Sequence, residues 1–142
     1  MNAIRSSVKV LVDGSAVAFD AYNINGNNYF KLRDLAMALN ETNKPFEVVW
    51  DGKANAIRLI GNKKYTPVGG ELSTGTGTTE VKAILTDSKI FLDGNEVSLT
   101  AYNIGGNNYF KLRDVAKAVN FGVTWDNATK TIGIDTSGSY ME

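Results

Sequence analysis

Apolar and polar residues alternate along much of this chain, and the pattern becomes helical at two places. Within residues 32–39 the apolar side chains fall at i, i+3, i+4 and i+7, and residues 112–119 repeat that spacing. Such spacing places one apolar stripe on a short helix. The segments on either side are β-branched or alternating, which is typical of strands. The pattern predicts an α+β fold with tandem β-β-α-β-β units.

Both predicted helices lie in a stretch that the chain contains twice. Residues 21–40 and residues 101–120 differ at four positions only. After the helix the first copy has five additional residues, 41–45, at a point where insertions cost little because they lie in a loop. The duplication predicts that one small module occurs twice in this chain.

The duplication also divides the chain into segments. We expect a first unit over residues 1–60, a linker over 61–81 and a second unit over 82–142, with the Gly/Thr-rich residues 73–79 flexible. A unit of roughly 60 residues has a marginal core unless disulfides or a partner support it. We therefore expect the units to pack on each other or on a neighbour. Exchange of strands between them is an alternative, because near-identical copies offer equivalent docking surfaces.

Composition excludes several classes of function. Fifteen basic and fifteen acidic side chains balance without a block of like charge, so we predict no nucleic-acid partner. No apolar run approaches the roughly 18–20 residues that span a bilayer, so we predict no membrane insertion, and the first residues lack the apolar core of a signal peptide. The absence of histidine and cysteine excludes disulfides, thiolate or imidazole metal sites and a Ser-His-Asp triad. We predict no enzyme activity, no catalytic residues, no cofactor and no metal.

The order of the motifs resembles a known family. A strand, an Asp-Gly turn, a strand, the run Tyr-Phe-Lys-Leu-Arg-Asp, and then Phe-x-Val-x-Trp-Asp at residues 46–51 and 121–126 resemble the copper amine oxidase-like N-terminal domain, also called the stalk domain. The resemblance covers nearly the whole chain, in two tandem repeats. It implies that each repeat is a small antiparallel sheet packed on one short helix. It also implies an accessory module in an extracellular or cell-wall setting of Gram-positive bacteria. It does not extend to the catalytic domain of those oxidases, whose copper is held by histidines, so amine oxidation is excluded for this chain.

Polar and aromatic residues recur around the second strand of each motif and form our candidate ligand surface. The tyrosines and lysines alternate with Phe30 and Phe110 along the strands, so their side chains lie on the other face of the sheet. We therefore expect them to point outward. Tyrosine rings stack on sugars, and asparagine amides both donate and accept hydrogen bonds. The candidate residues are Asn27, Asn28, Tyr29, Lys31, Asn107, Asn108, Tyr109 and Lys111. The alternative is that the asparagines only build a turn and the tyrosines cover a sheet edge.

The two tryptophans are a second group of candidate binding aromatics. In a strand, Trp50 points to the same face as Val48, and Trp125 points to the same face as Val123. That orientation favours packing of both indoles in the core over contact with a ligand.

The charges that both copies of the motif share have structural explanations. We expect Arg33 and Arg113 to pair with nearby acids such as Asp51 and Asp126, rather than to bind an anion. A hydrolase would need a cleft holding a carboxylate of raised pKa, and Asp34 is already explained by its place in the first turn of a helix.

Three hypotheses of function follow. The first is a non-catalytic extracellular interaction or stalk module that contacts neighbouring domains or cell-surface proteins. The second is a carbohydrate- or peptidoglycan-binding module that uses the outward tyrosines and asparagines. The third, a hydrolase, is the one that composition supports least.

Overall fold

The computed structural model describes residues 2–6, 8–72 and 81–141, which form a mixed α+β fold. The first copy contributes β1 (Asn2–Arg5), β2 (Lys9–Val12), β3 (Ser15–Ala16), β4 (Ala21–Ile24), β5 (Asn27–Lys31), α1 (Leu32–Ala38), β6 (Phe46–Asp51) and β7 (Ala56–Gly61). The second copy contributes β8 (Val81–Lys82), β9 (Ile84–Leu85), β10 (Lys89–Leu92), β11 (Asn95–Val97), β12 (Ala101–Ile104), β13 (Asn107–Lys111), α2 (Leu112–Val119), β14 (Gly122–Asp126) and β15 (Thr131–Asp135). The segment 73–79, predicted to be flexible, lies outside the described residues.

The centre of the molecule is a sheet that closes on itself. The hairpins β4–β5 and β12–β13 pair through β5 and β13, where Phe30 lies opposite Phe110. Strand β1 pairs with β4, β9 pairs with β12, and β8 pairs with β1. Because β8 and β9 are separated only by Ala83, this segment joins the two edges of the sheet. We refer to this antiparallel ring of strands as the closed sheet.

Two four-stranded sheets flank the closed sheet, and each takes strands from both copies. Strand β2 pairs in parallel with β15, which places Val10 opposite Ile132. Strand β10 pairs in parallel with β7, which places Ile90 opposite Ile57. The two copies therefore exchange their first hairpins. This differs from the predicted pair of self-contained antiparallel sheets, and the reason is that near-identical copies offer each hairpin an equivalent place on the other copy.

The two helices bury the stripe that the sequence predicts. Leu32, Leu35 and Ala36 of α1 are buried, as are the matching residues of α2. They pack in one core with Phe30 and Phe110, which are fully buried on the outer side of the closed sheet. That core also receives apolar residues from both flanking sheets, so it belongs to both copies at once.

Aspartates of the Asp-Gly turns tie the flanking sheets together across the copies. The carboxylate of Asp13 accepts hydrogen bonds from the N–H of Thr136 at 2.8 Å and from its hydroxyl at 2.6 Å. At the equivalent place Asp93 accepts a hydrogen bond from the N–H of Gly61 at 2.9 Å. The predicted turns are thus also contacts between the two copies.

Part of the predicted linker packs against α1. Tyr65 is 3% exposed, and its N–H donates to the Oδ1 of Asn40 at 2.8 Å. Its hydroxyl donates to the carboxylate of Glu71 at 2.6 Å, and the N–H of Leu72 donates to Asp34 at 2.9 Å. Burial favours a higher pKa for Glu71, but the Tyr65 hydroxyl and nearby backbone N–H groups outweigh it and lower that pKa to about 2. Residues 65–72 therefore form a strap over the first helix.

Candidate functional site

Two equivalent grooves lie at opposite ends of the closed sheet, and each is built from both copies. The first groove has a volume of about 510 Å³ and the second a volume of about 750 Å³. The Asn-Gly turn of one copy forms one wall, while the other copy supplies the start of its helix and a tryptophan from the strand that follows. In the first groove these residues are Asn27, Asn28, Lys111, Arg113 and Trp125. In the second groove they are Asn107, Asn108, Lys31, Arg33 and Trp50.

Both tryptophans are exposed in these grooves, so the prediction that they pack in the core is wrong. Trp50 is 52% exposed and Trp125 is 43% exposed. Val48, two residues before Trp50, is buried as its parity predicts. The strand continues beyond the edge of the core, so the same face becomes open to solvent at its end. The ammonium of Lys130, which does not line the first groove, lies 6.0 Å from the centre of the Trp125 ring.

The tyrosines lie inside the closed sheet, so the prediction that they point outward is wrong. Tyr29 is 4% exposed and Tyr109 is 2% exposed, and burial raises the pKa of both hydroxyls. Tyr109 packs edge-on against Tyr22 at 5.2 Å between ring centres, and Tyr29 packs against Tyr102 at 5.4 Å. Alternation correctly places Tyr29 and Tyr109 on the other face of the sheet from Phe30 and Phe110. Closure of the sheet covers that second face as well, and alternation cannot predict closure.

Lys31 and Lys111 are partly buried at the two ends of the closed sheet, and their surroundings differ. Beside Lys31 the carboxylate of Asp20 forms an ion pair with Arg5, accepts from the Tyr109 hydroxyl at 3.0 Å, and lies 3.8 Å from the Lys31 ammonium. Asp20 is 8% exposed, and the sequence analysis did not single it out. A difference between the copies could have revealed it, because Thr100 occupies the position equivalent to Asp20.

Because that aspartate is absent from the second copy, Lys111 lacks the ion pair that Lys31 has. Within residues 2–6, 8–72 and 81–141, no carboxylate lies within ion-pairing distance of the Lys111 ammonium. Its backbone N–H donates to the carbonyl of Thr100 at 3.2 Å, which fixes the strand but leaves the charge uncompensated. The two ends of the closed sheet are thus related in geometry and unlike in charge.

The asparagines divide between building the turn and lining the groove. The Oδ1 of Asn23 accepts from the N–H of Gly26 at 3.1 Å, which stabilises the first turn. Asn28 accepts from the hydroxyl of Ser6 at 3.0 Å. In the described part of the chain the side chain of Asn27 makes no hydrogen bond to protein, so its amide can serve a ligand.

The arginines do not make the ion pairs predicted for them. Arg33 donates to the hydroxyl of Tyr65 at 3.3 Å, while Asp51 pairs with Arg58 at 3.1 Å. Asp126 accepts from backbone N–H groups of its own turn. Arg113 is exposed, and no acidic partner lies beside it among the residues that the structure describes.

The grooves do not contain the arrangement that a hydrolase would need. Burial raises the pKa of the Asp34 carboxyl, although the N–H of Leu72 opposes that shift. Asp34 is only 2% exposed and lines neither groove. Asp87 lines the second groove without a second carboxylate beside it among the described lining residues. No acid–base pair is therefore brought together at either groove.

Comparison with known proteins gives one match. A family model described as copper amine oxidase N-terminal domain matches residues 11–134, which include most of both copies. No curated protein and no solved structure shows significant similarity to the chain. Neither described helix has the length and apolar character needed to cross a membrane.

Proposed function

The chain belongs to the copper amine oxidase N-terminal domain family, and on that premise we propose that it is a non-catalytic interaction module of a secreted or wall-associated bacterial protein. The observation that carries the proposal is the pair of equivalent grooves, each with an exposed tryptophan at its edge. Exposed tryptophans in concave sites are frequent anchors of binding, because a rigid ring offers a large contact area at a low entropic cost. The ligand-binding part of this domain is therefore the grooves rather than the tyrosine cluster.

The chain lacks the main ligands of the copper in the family's name. Copper sites in proteins are built mainly from imidazole and thiolate groups, with methionine as an additional weak ligand, and this sequence contains neither histidine nor cysteine. Within the described ranges, no three acidic side chains come together as a metal site either. The residues do not fit copper, and no part of the proposed function depends on it.

Exchange of hairpins supports the grooves as functional units. Each groove has one wall from each copy, so its shape depends on how the two copies are joined. The copies are joined by two parallel strand pairs and by the contact between β5 and β13. Such a scaffold keeps the walls of a groove at a fixed separation, which lowers the ordering cost of binding.

A second candidate function, saccharide binding, is favoured by the neighbours of the tryptophans. In both grooves an exposed indole lies in the same cavity as asparagine side chains. Indole faces stack on pyranose rings, and amides hydrogen-bond to sugar hydroxyls. This version of the hypothesis uses Asn27, Asn28, Asn107 and Asn108 but no longer needs Tyr29 or Tyr109.

Co-sedimentation with purified Gram-positive cell walls tests both candidates. We expect the full chain to sediment with the walls, and Trp50→Ala/Trp125→Ala to remain in solution. Val68→Ala is the matched control, because Val68 is 66% exposed and lines neither groove. Binding that survives protease treatment of the walls supports a saccharide, whereas binding lost with that treatment supports a protein partner. Equal sedimentation of the tryptophan variant and the control would contradict the proposal.

A further inference from the structure

We propose that the first groove binds an acidic saccharide, with a pyranose ring on Trp125 and its carboxylate at Lys111 and Arg113. This inference rests on the saccharide version of the proposed function and adds a ligand class and a choice between the two grooves. It depends on the charges of the groove, on the exposure of its indole, and on differences from the second groove.

The described lining of the first groove carries positive charge without an acidic residue. Arg5, Lys111 and Arg113 line it, and no aspartate or glutamate is among its described lining residues. Arg5 is compensated by its ion pair with Asp20. Lys111 and Arg113 have no carboxylate partner in the described ranges, so an anion in the groove would meet two uncompensated cations. Guanidinium and ammonium groups bind carboxylates by charge-assisted hydrogen bonds.

The remaining lining suits a sugar better than a simple anion. The Trp125 side chain is 43% exposed and offers an apolar face in the same cavity. The amide of Asn27 can pair with hydroxyl groups, and Thr124 lines the same space. A ligand that matches all of these groups has a flat apolar face, several hydroxyls and one negative charge. A carboxylated pyranose has each of these features.

The second groove is built from equivalent turns and helix starts, and it differs from the first in charge. The Lys31 ammonium lies 3.8 Å from the Asp20 carboxylate, Asp87 adds a negative charge to the lining, and Arg33 donates to the Tyr65 hydroxyl. Exposed Leu85 occupies the position at which the first groove has Arg5, and exposed Ile84 adds a second apolar side chain to the lining of the second groove. An acidic sugar should therefore bind the first groove alone, and that asymmetry distinguishes specific recognition from general attraction to a basic surface.

The test uses the full chain labelled with ¹⁵N and two probes, a galacturonic acid trisaccharide and its fully methyl-esterified form. The two probes share their rings and differ in charge. We expect the acid to shift the indole N–H signal of Trp125 and to leave that of Trp50 unchanged. The ester should bind at least tenfold more weakly, because it cannot form the charge-assisted hydrogen bonds that a carboxylate forms with Lys111 and Arg113.

Variants assign the effect to residues. Arg113→Gln should weaken binding of the acid about tenfold, and Trp125→Ala should remove it. Lys89→Gln is the control, because it removes one exposed positive charge outside both grooves. Arg113 is exposed, so a normal thermal unfolding curve is expected for its variant and separates loss of binding from loss of folding.

Three results would overturn the inference, and each has a different consequence for the proposed function. Equal affinity for acid and ester, with loss on Trp125→Ala, would keep saccharide binding and reject selectivity for the acid. Equal shifts of both indoles would reject the choice of groove. No shift with either probe would reject an acidic saccharide of this kind, while sedimentation with cell walls would still decide the proposed function.

Discussion

Replacing Asp13 by alanine should destabilise the protein more than replacing Asp93, although both residues occupy the same position in equivalent turns. Their backbones have φ values of 49° and 50°, so alanine meets the same strain at both sites. The two sites differ in what the carboxylate accepts. Asp13 accepts from both the N–H and the hydroxyl of Thr136, whereas Asp93 accepts, among the residues that the structure describes, only from the N–H of Gly61. The difference between the variants therefore isolates the hydroxyl bond.

The size of that difference follows from the burial of Thr136. A hydrogen bond to a charged group contributes about 1.5–3 kcal/mol, and an unpaired buried donor costs about 1–3 kcal/mol. Thr136 is fully buried, but Asp13 is exposed and water weakens its hydrogen bond, so we expect the difference to lie in the lower part of the range of about 1.5–3 kcal/mol. We expect Asp13→Ala to be about 2 kcal/mol less stable than Asp93→Ala. In a chain of this size that corresponds to about 4–8 °C in Tm.

Urea unfolding followed by tryptophan fluorescence measures both variants under the same conditions. The Thr136→Val background provides the control, because valine keeps the shape of threonine and removes the hydroxyl. In that background Asp13→Ala should cost no more than Asp93→Ala costs in the parent chain. Equal losses for the two alanine variants in the parent chain, within about 0.5 kcal/mol, would refute the reasoning and the contact between the copies on which it depends.

Three further predictions concern the strap, the closed sheet and a flanking sheet. The Glu71 carboxyl has a pKa of about 2 against an ordinary value of 4.5, so it stabilises the fold above pH 4.5, and this stabilisation declines as the pH falls towards 2. Glu71→Gln should remove that part of the pH dependence of the unfolding free energy measured in urea. An unchanged pH profile would contradict this prediction. Tyr109→Ala should lose about 3–5 kcal/mol in thermal unfolding because the ring is 2% exposed, whereas a loss below about 0.5 kcal/mol would place the ring on the surface. Gly133→Ala should lower the Tm because its Cβ would clash with the Oγ1 of Thr124, and adding Thr124→Ala should restore it. Failure of that rescue would show that another contact is responsible.

The helices and turns could be predicted from the sequence because local forces decide them. The apolar stripe of residues 32–39 defines the buried face of α1, and Asp34 lies in its first turn as expected. Asn120 caps α2 in the left-handed conformation, with φ of 71°, which asparagine adopts at low cost. These features involve neighbours in sequence, so periodicity and turn chemistry are sufficient to predict them.

The candidate site was harder to predict because exposure depends on distant parts of the chain. Asn27, Asn28, Lys31 and their counterparts do line the two grooves, as members of the candidate ligand surface. Tyr29 and Tyr109 do not, because β8 and β9 close the sheet over them. The indoles of Trp50 and Trp125 line the grooves, because their strands extend past the core. Parity assigns a side chain to one face of a strand, and it contains no information about what covers that face.

The sequence by itself determined the duplication, the two helices, the turns and the absence of residues for copper chemistry. Only the tertiary structure decided which copy each hairpin joins, because the two copies present nearly the same partners and local energies cannot distinguish them. It also decided that both faces of β5 and β13 are buried, with Phe30 and Phe110 on one side and the tyrosines on the other. The grooves follow from these long-range pairings, since each groove brings together residues that lie far apart along the chain.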